Sequence, residues 1–257
     1  MKKRQRKLRA NSSGQLLVVA ALAIAILISS TTIYVYELSK EVNSEDYSPI
    51  SDFVLSLKQS TRNAMISSIA NVSNGGEKNV LAVNLDRLSG VCRSINSLGI
   101  CQLTFTPLNN SNYDSGTRLA WNTSDIGISS AYANFTLEVY GMSMNTTLDY
   151  AVNVTSTITI NGYYTRLSGD EKLVNLTCNL YNEGKHALAK NMTFFYEELA
   201  SWLPVDSSHN LSITDYGNGT YCISFTVITP SDTVQVSAHI YDLRDIFVQA
   251  NTTCHEA

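Results

Sequence analysis

The residues of this chain with chemistry of their own are asparagines and cysteines. Twelve Asn-X-Ser/Thr triplets occur among its 23 asparagines, where chance placement at this Ser/Thr content gives about five such glycan acceptors. Eleven lie beyond residue 37, at Asn71, Asn109, Asn122, Asn134, Asn145, Asn153, Asn175, Asn191, Asn210, Asn218 and Asn251. The chemistry they imply is N-glycosylation, which needs an exported, solvent-facing amide. The five cysteines, Cys92, Cys101, Cys178, Cys222 and Cys254, form no CxxC or Cys/His metal spacing. In an exported chain they read as disulfide partners. Cys92 and Cys101 are close in sequence and are expected to pair. Cys178–Cys222 is the second expected bridge and Cys222–Cys254 the alternative, which leaves one thiol free or bridging two molecules.

Signatures of catalysis are not found. The sequence contains no GxSxG, HExxH, P-loop or dinucleotide fingerprint. Its four histidines, His186, His209, His239 and His255, are scattered, and His239 is expected on the solvated face of a strand. Asp242 and Asp245 flank a turn and read as turn residues rather than calcium ligands. Glu197 and Glu198 read as a solvated pair, and Trp121 and Trp202 as anchors rather than sugar platforms. No residue is assigned a catalytic role, and no metal or cofactor is expected.

These sites are positioned by a chain with a marked beginning. Residues 14–36 carry no charge and span roughly 33 Å as a helix, matching a hydrocarbon core of about 30 Å. Six positive charges precede them, at Lys2, Lys3, Arg4, Arg6, Lys7 and Arg9, which places the N-terminus in the cytoplasm and the bulk outside. A basic run, then Ser13-Gly14-Gln15, then an apolar helix resembles the N-terminus of archaeal type IV pilin-like proteins. That resemblance covers about 40 residues and implies prepilin-type cleavage between Gly14 and Gln15. It departs at Val19, where many pilins carry Glu to register subunits in a filament.

Beyond the anchor, residues 41–257 hold 11 Lys and Arg against 21 Asp and Glu, a net charge of −10. An acidic surface of this kind argues against nucleic-acid binding. Apolar residues recur at helical spacing over 50–70, and again at Leu81, Leu85, Leu88, Cys92 and Ile95. From Ile100 the period becomes two. In the strands around Asn134, Asn153 and Asn175 the apolar residues take one parity and the sequon asparagines the other, as a glycan on a half-buried strand requires. Parity puts Cys178 inward and Cys222 outward, whereas a cross-strand bridge needs both on one face.

Asp215-Tyr216-Gly217-Asn218-Gly219-Thr220-Tyr221, running into a strand, resembles the turn of filamin-like and bacterial Ig-like domains. The resemblance covers about 168–257 and implies an Ig-like β-sandwich of structural or adhesive character. The expected organisation is a basic cytoplasmic arm (1–13), a transmembrane helix (14–38), a helical stalk region (39–98), an antiparallel β region (99–167) and the Ig-like β-sandwich (168–257). The fold class is mainly β with N-terminal helices. The expected function is that of a non-enzymatic, membrane-anchored, N-glycosylated extracellular surface protein. Its partners would be the lipid bilayer and other cell-surface proteins or like subunits, with no nucleic acid. A pilin-like filament subunit and a tethered ectoenzyme or solute-binding protein are the alternatives.

Overall fold

The computed structural model describes residues 49–94, 100–140 and 145–257. The basic arm, the apolar stretch, Gly14, Gln15 and the start of the helical region lie outside the described residues. No helix among the described residues is long and apolar enough to cross a membrane. The chain divides into two compact units, Met1–Phe53 and Val54–Ala257, and every strand belongs to the second.

Among the described residues two helices precede twelve strands. α1 (Pro49–Ser73) opens on a proline, whose missing N–H costs nothing in a first turn. It buries Leu57, Thr61, Met65, Ile69 and Val72 at intervals of three and four. α2 (Val80–Ser94) buries Leu81, Leu85, Ser89 and Cys92 at the same spacing. Asn84 Nδ2 donates to Ser68 Oγ at 2.9 Å between the two helices.

The strands are β1 (Ile100–Pro107), β2 (Thr117–Thr123), β3 (Ile126–Tyr140), β4 (Asn145–Ser168), β5 (Glu171–Asn182), β6 (Lys185–His186), β7 (Ala189–Glu198), β8 (Ser201–Pro204), β9 (Ser212–Asp215), β10 (Thr220–Ile228), β11 (Val234–Asp242) and β12 (Phe247–Glu256). One layer runs β3-β4-β5-β10-β9, with β1 and β2 pairing successive parts of β3 and β6 pairing β5. The second layer runs β8-β7-β11-β12. All pairings within the layers are antiparallel. The layers join along one rim, where His255 and Glu256 of β12 run parallel to Tyr163 and Tyr164 of β4.

The inward face of the first layer is covered twice. At one end, Leu103, Phe135, Leu137 and Val139 are buried with the helices' apolar stripes. There Ser89 Oγ donates to the Leu103 carbonyl, and Cys92 is disulfide-bonded to Cys101. At the other end, Ile158, Ile160, Val174, Leu176, Ile223 and Phe225 form one core with Phe194, Val236, Ile240, Val248 and Ala250 of the second layer. The fold is thus mainly β and sandwich-like, with two helices on its N-terminal side. At Ser168-Gly169-Asp170, expected as a domain boundary, Ser168 ends β4 and Gly169 and Asp170 form the hairpin turn into β5, and both flanking strands feed the sandwich core.

Gly127 is where β12 crosses β3. A Cβ there would lie 1.9 Å from the Gln249 carbonyl oxygen and 3.0 Å from Ile158 Cγ2. Backbone meets backbone, so no rotamer change relieves the clash. Gly127→Val is expected to destabilise the fold by about 1–3 kcal/mol through overpacking. A thermal melt of the variant checks this, and an unchanged midpoint would show that β12 does not press on β3.

Candidate functional site

Ten of the eleven expected glycan acceptors have described side chains, and none is buried. Asn71, Asn109, Asn134, Asn145, Asn153, Asn191, Asn210 and Asn218 are exposed, while Asn175 and Asn251 are half-buried. The side chain of Asn122 lies outside the described residues. Strand parity alone places the sheet asparagines outward: Val154, Val174 and Leu176 are fully buried beside Asn153 and Asn175. In the Asn153 triplet, Thr155 Oγ1 donates to Asn153 Oδ1 at 3.1 Å and Ser130 Oγ does so at 3.2 Å. The carbonyl end of that amide is held by protein.

The second expected disulfide is not formed. In the β5–β10 register Cys178 stands opposite Tyr221, and Cys222 opposite Thr177. The two side chains leave opposite faces of one sheet, so no bond can join them without slipping the register. The Cys222–Cys254 alternative fails for the same reason, since Cys254 is fully buried inward on β12 while Cys222 faces out. All three thiols are free. Burial raises the Cys178 thiol far above its ordinary value and, with the Asp125 charge, pushes Cys254 up to about 12. Neither supplies thiolate near neutral pH, and thiolate is the reactive form.

The histidines and tryptophans also find places. His239 is not a solvated surface residue: its ring lies 4.5 Å from Phe195 and 5.4 Å from Phe247, and burial lowers its pKa. Sequence parity put it outward correctly, but aromatic neighbours on β7 and β12 cover that face. Trp121 packs edge-on against Phe247 at 5.0 Å, and its Nε1 donates to Ser129 Oγ at 2.9 Å. Trp202 stands opposite Glu197 at the edge hairpin and is exposed. His209 caps a short turn with Asp206, its Nδ1 2.9 Å from Asp206 Oδ1. Among the described residues no group of His, Cys, Asp or Glu is arranged to hold a metal ion.

Sequence reasoning missed a charged knot. Asp242, with no exposed side-chain surface, accepts from Arg244 Nε at 2.8 Å and from the Arg244 and Ile246 backbone N–H groups. Arg244 also donates to Glu183 Oε1 at 2.7 Å and to the Thr155 carbonyl at 3.1 Å. Glu183 accepts in turn from the Thr155 N–H at 3.0 Å and from Arg62 of α1 at 2.9 Å. Two cations and two anions balance. Partners separated by 61 and 121 residues leave no local signal in the sequence. Asp245, the other turn aspartate, pairs with Lys190 at 2.5 Å.

Open cavities of mixed polar and apolar lining lie on the described surface. One of about 410 Å³ is lined by Asp125, Asn161, Gln235, Asn251, Thr253 and His255. Its carboxylate is engaged, since Thr252 Oγ1 donates to Asp125 Oδ1 at 2.5 Å. The Asp125 backbone is engaged too: its N–H donates to the Asn251 carbonyl, and its carbonyl accepts from the Ile160 N–H. A second, of about 250 Å³, lies on the outward face of the first layer between Tyr163, Asn175 and Cys222. No family model matches the chain, and no curated protein matches it.

Two outcomes are expected. Burial raises the Glu183 carboxyl, but hydrogen bonds from Arg244, the Thr155 N–H and Arg62 outweigh it and hold it below the usual carboxylate range. A depressed folded value means that stabilisation is complete above the ordinary glutamate pKa and is lost as pH falls through the lower one. Glu183→Gln should therefore flatten the acid limb of a stability–pH profile. Arg244→Met, which leaves Asp242 buried without its partner, should cost about 3–5 kcal/mol. Urea melts from pH 3 to 7 read both, and a wild-type acid limb in Glu183→Gln would remove Glu183 from the account. Separately, brief iodoacetamide treatment of folded protein made without glycan should label Cys222 alone, with Cys178 and Cys254 reacting only after denaturation. Peptide mass mapping checks this.

Proposed function

We propose that this chain is a non-enzymatic, membrane-anchored, N-glycosylated extracellular protein with a structural or adhesive role, its outer part an Ig-like sandwich. The observation that carries the reading is the strand order. β4-β5-β10-β9 facing β12-β11-β7-β8 corresponds to A-B-E-D facing G-F-C-C′ of Ig-like domains. The glycine turn that suggested this family lies between β9 and β10, with Gly217 at φ +70° and Gly219 at +82°. Asp215 Oδ1 accepts from the Gly217 N–H, and Asn218 Oδ1 from the Thr220 N–H. The chain departs from the antibody pattern: Cys178 on β5 has no cysteine partner on β11, and an apolar cluster fills that space. Sandwiches of this type hold their function in exposed loops and edges rather than in a cleft.

Support for the surface location comes from the sequence, in the basic arm and uncharged stretch, and from the solvent-facing sequons. The second reading, a filament subunit, rests on the resemblance around Gly14-Gln15 and on the order of helix before antiparallel sheet. Val19, where a filament-registering carboxylate would stand, favours retention in lipid.

The test is fractionation with N-terminal sequencing. Protease added to intact cells should degrade the chain beyond about residue 39 and spare the arm. Mechanical shearing should leave the protein in the membrane pellet, released only by detergent. Recovery in sheared filaments with Gln15 as first residue would replace this reading with the filament one.

A further inference from the structure

Asn134, Asn153 and Asn175 share the outward face of β3, β4 and β5, and each stands beside a tyrosine. Tyr132 is directly across from Asn153 in the β3–β4 register, and two residues before Asn134 on the same face. Tyr163 is directly across from Asn175 in the β4–β5 register. Directly opposed residues hold their Cβ atoms about 4.5–5.5 Å apart. Tyr163 is 50% exposed although it sits in the middle of a sheet. Beside it lies the cavity of about 250 Å³, whose floor includes Asn175, Thr177, Cys222 and Ser224. Among the described residues no hydrogen bond engages the side-chain amide of Asn175.

We infer that Asn175 is an occupied glycosylation site whose first sugar ring seats on Tyr163 and covers Cys222. Tyr132 gives Asn153 and Asn134 the same kind of platform. The inference deepens the glycoprotein reading above and rests on it. The modification replaces one Nδ2–H of Asn175 by a bond to the anomeric carbon of the sugar. The bond from that carbon to a phosphate oxygen of a lipid-phosphate-linked donor breaks, and the amide proton leaves with the phosphate. A pyranose presents a face of C–H groups, and a tyrosine ring presents an apolar face with a wet tip, so the two can stack while the phenol stays solvated. The covalent tether makes this weak contact intramolecular, which raises its effective concentration. The cavity falls short of the roughly 300–1,000 Å³ of drug-sized sites. Its size suits one tethered ring better than a free ligand.

Cys222 supplies the readout, because its thiol opens onto the same cavity while Cys178 and Cys254 are buried. Full-length protein is purified from cells that N-glycosylate exported proteins, as wild type, Asn175→Gln, Tyr163→Ser and the double variant. Glycopeptide masses and the rate of Cys222 alkylation by iodoacetamide are measured. Asn175 should carry glycan, and Cys222 should react several-fold faster in Asn175→Gln than in wild type. Tyr163→Ser should speed the reaction in the glycosylated protein and add nothing in the Asn175→Gln background. Unreactive Cys178 and Cys254 report that each variant is folded. Glycan at other sequons with Asn175 bare would overturn the inference while leaving the glycoprotein reading standing. So would an occupied Asn175 with equal alkylation rates, or a Tyr163→Ser effect of the same size in both backgrounds. Bare asparagines at every sequon would overturn the glycoprotein reading itself.

Discussion

β4 has to serve two cores with one face. Its side chains alternate, so Leu148, Tyr150, Val152, Val154, Ser156, Ile158, Ile160 and Tyr164 all project to one side of a 24-residue strand. The early members of that row lie on the helical side. Tyr150 stacks on Phe135 with ring centroids 5.2 Å apart, and its hydroxyl reaches Thr61 of α1. The later members face the second sheet. A one-residue slip of β4 would turn both rows to solvent at once, so register is set from two sides.

The handover between the two cores falls at Thr155, and there the backbone has a problem. β5 ends its pairing with β4 at Asn182 opposite Ser156. The Thr155 N–H and C=O on that side lose their ladder partner at a partly buried position, where an unpaired amide is costly. Glu183 answers with both its parts. Its carboxylate accepts from the Thr155 N–H, and its own N–H, at φ +48°, donates to the Thr155 carbonyl. Arg244 then bonds the same carbonyl and ties in the β11–β12 turn through Asp242, while Arg62 ties in α1. The strained Glu183 backbone and the buried Asp242 make sense together as the means of ending β5 without orphaning β4.

This explains what the sequence revealed and what it hid. The period-two runs, the two helices and the close Cys92–Cys101 pair are local patterns, and each could be read from neighbouring residues. The parity conflict between Cys178 and Cys222 was also local, and it was the correct guide where the bridge expected in spite of it was not. The β4–β5 hairpin was hidden because Ser168-Gly169-Asp170 looks like a boundary. A hairpin turn and a domain linker use the same residues. The Glu183 knot, the crossing of β12 over Gly127 and the aromatic cover on His239 join residues far apart in the chain, so no window of sequence contains them. Gly127 is the nearest to an exception: a lone glycine inside a strand signals close backbone approach, though not which backbone arrives.

Among the described residues the main strand path ends in two edge strands, β8 and β9, and an exposed edge invites pairing with another chain. β8 is four residues long and ends on Pro204, which has no N–H to offer an incoming strand. β9 is equally short but all four of its residues are exposed, and it has no proline. Its protection differs in kind. Asn210 and Asn218, both exposed acceptor asparagines, lie just before and just after it. On the glycoprotein reading, a sugar at either end would hinder edge-to-edge pairing without altering any residue of the strand itself. The placement of acceptors around β9 then follows from the same need that Pro204 meets at β8.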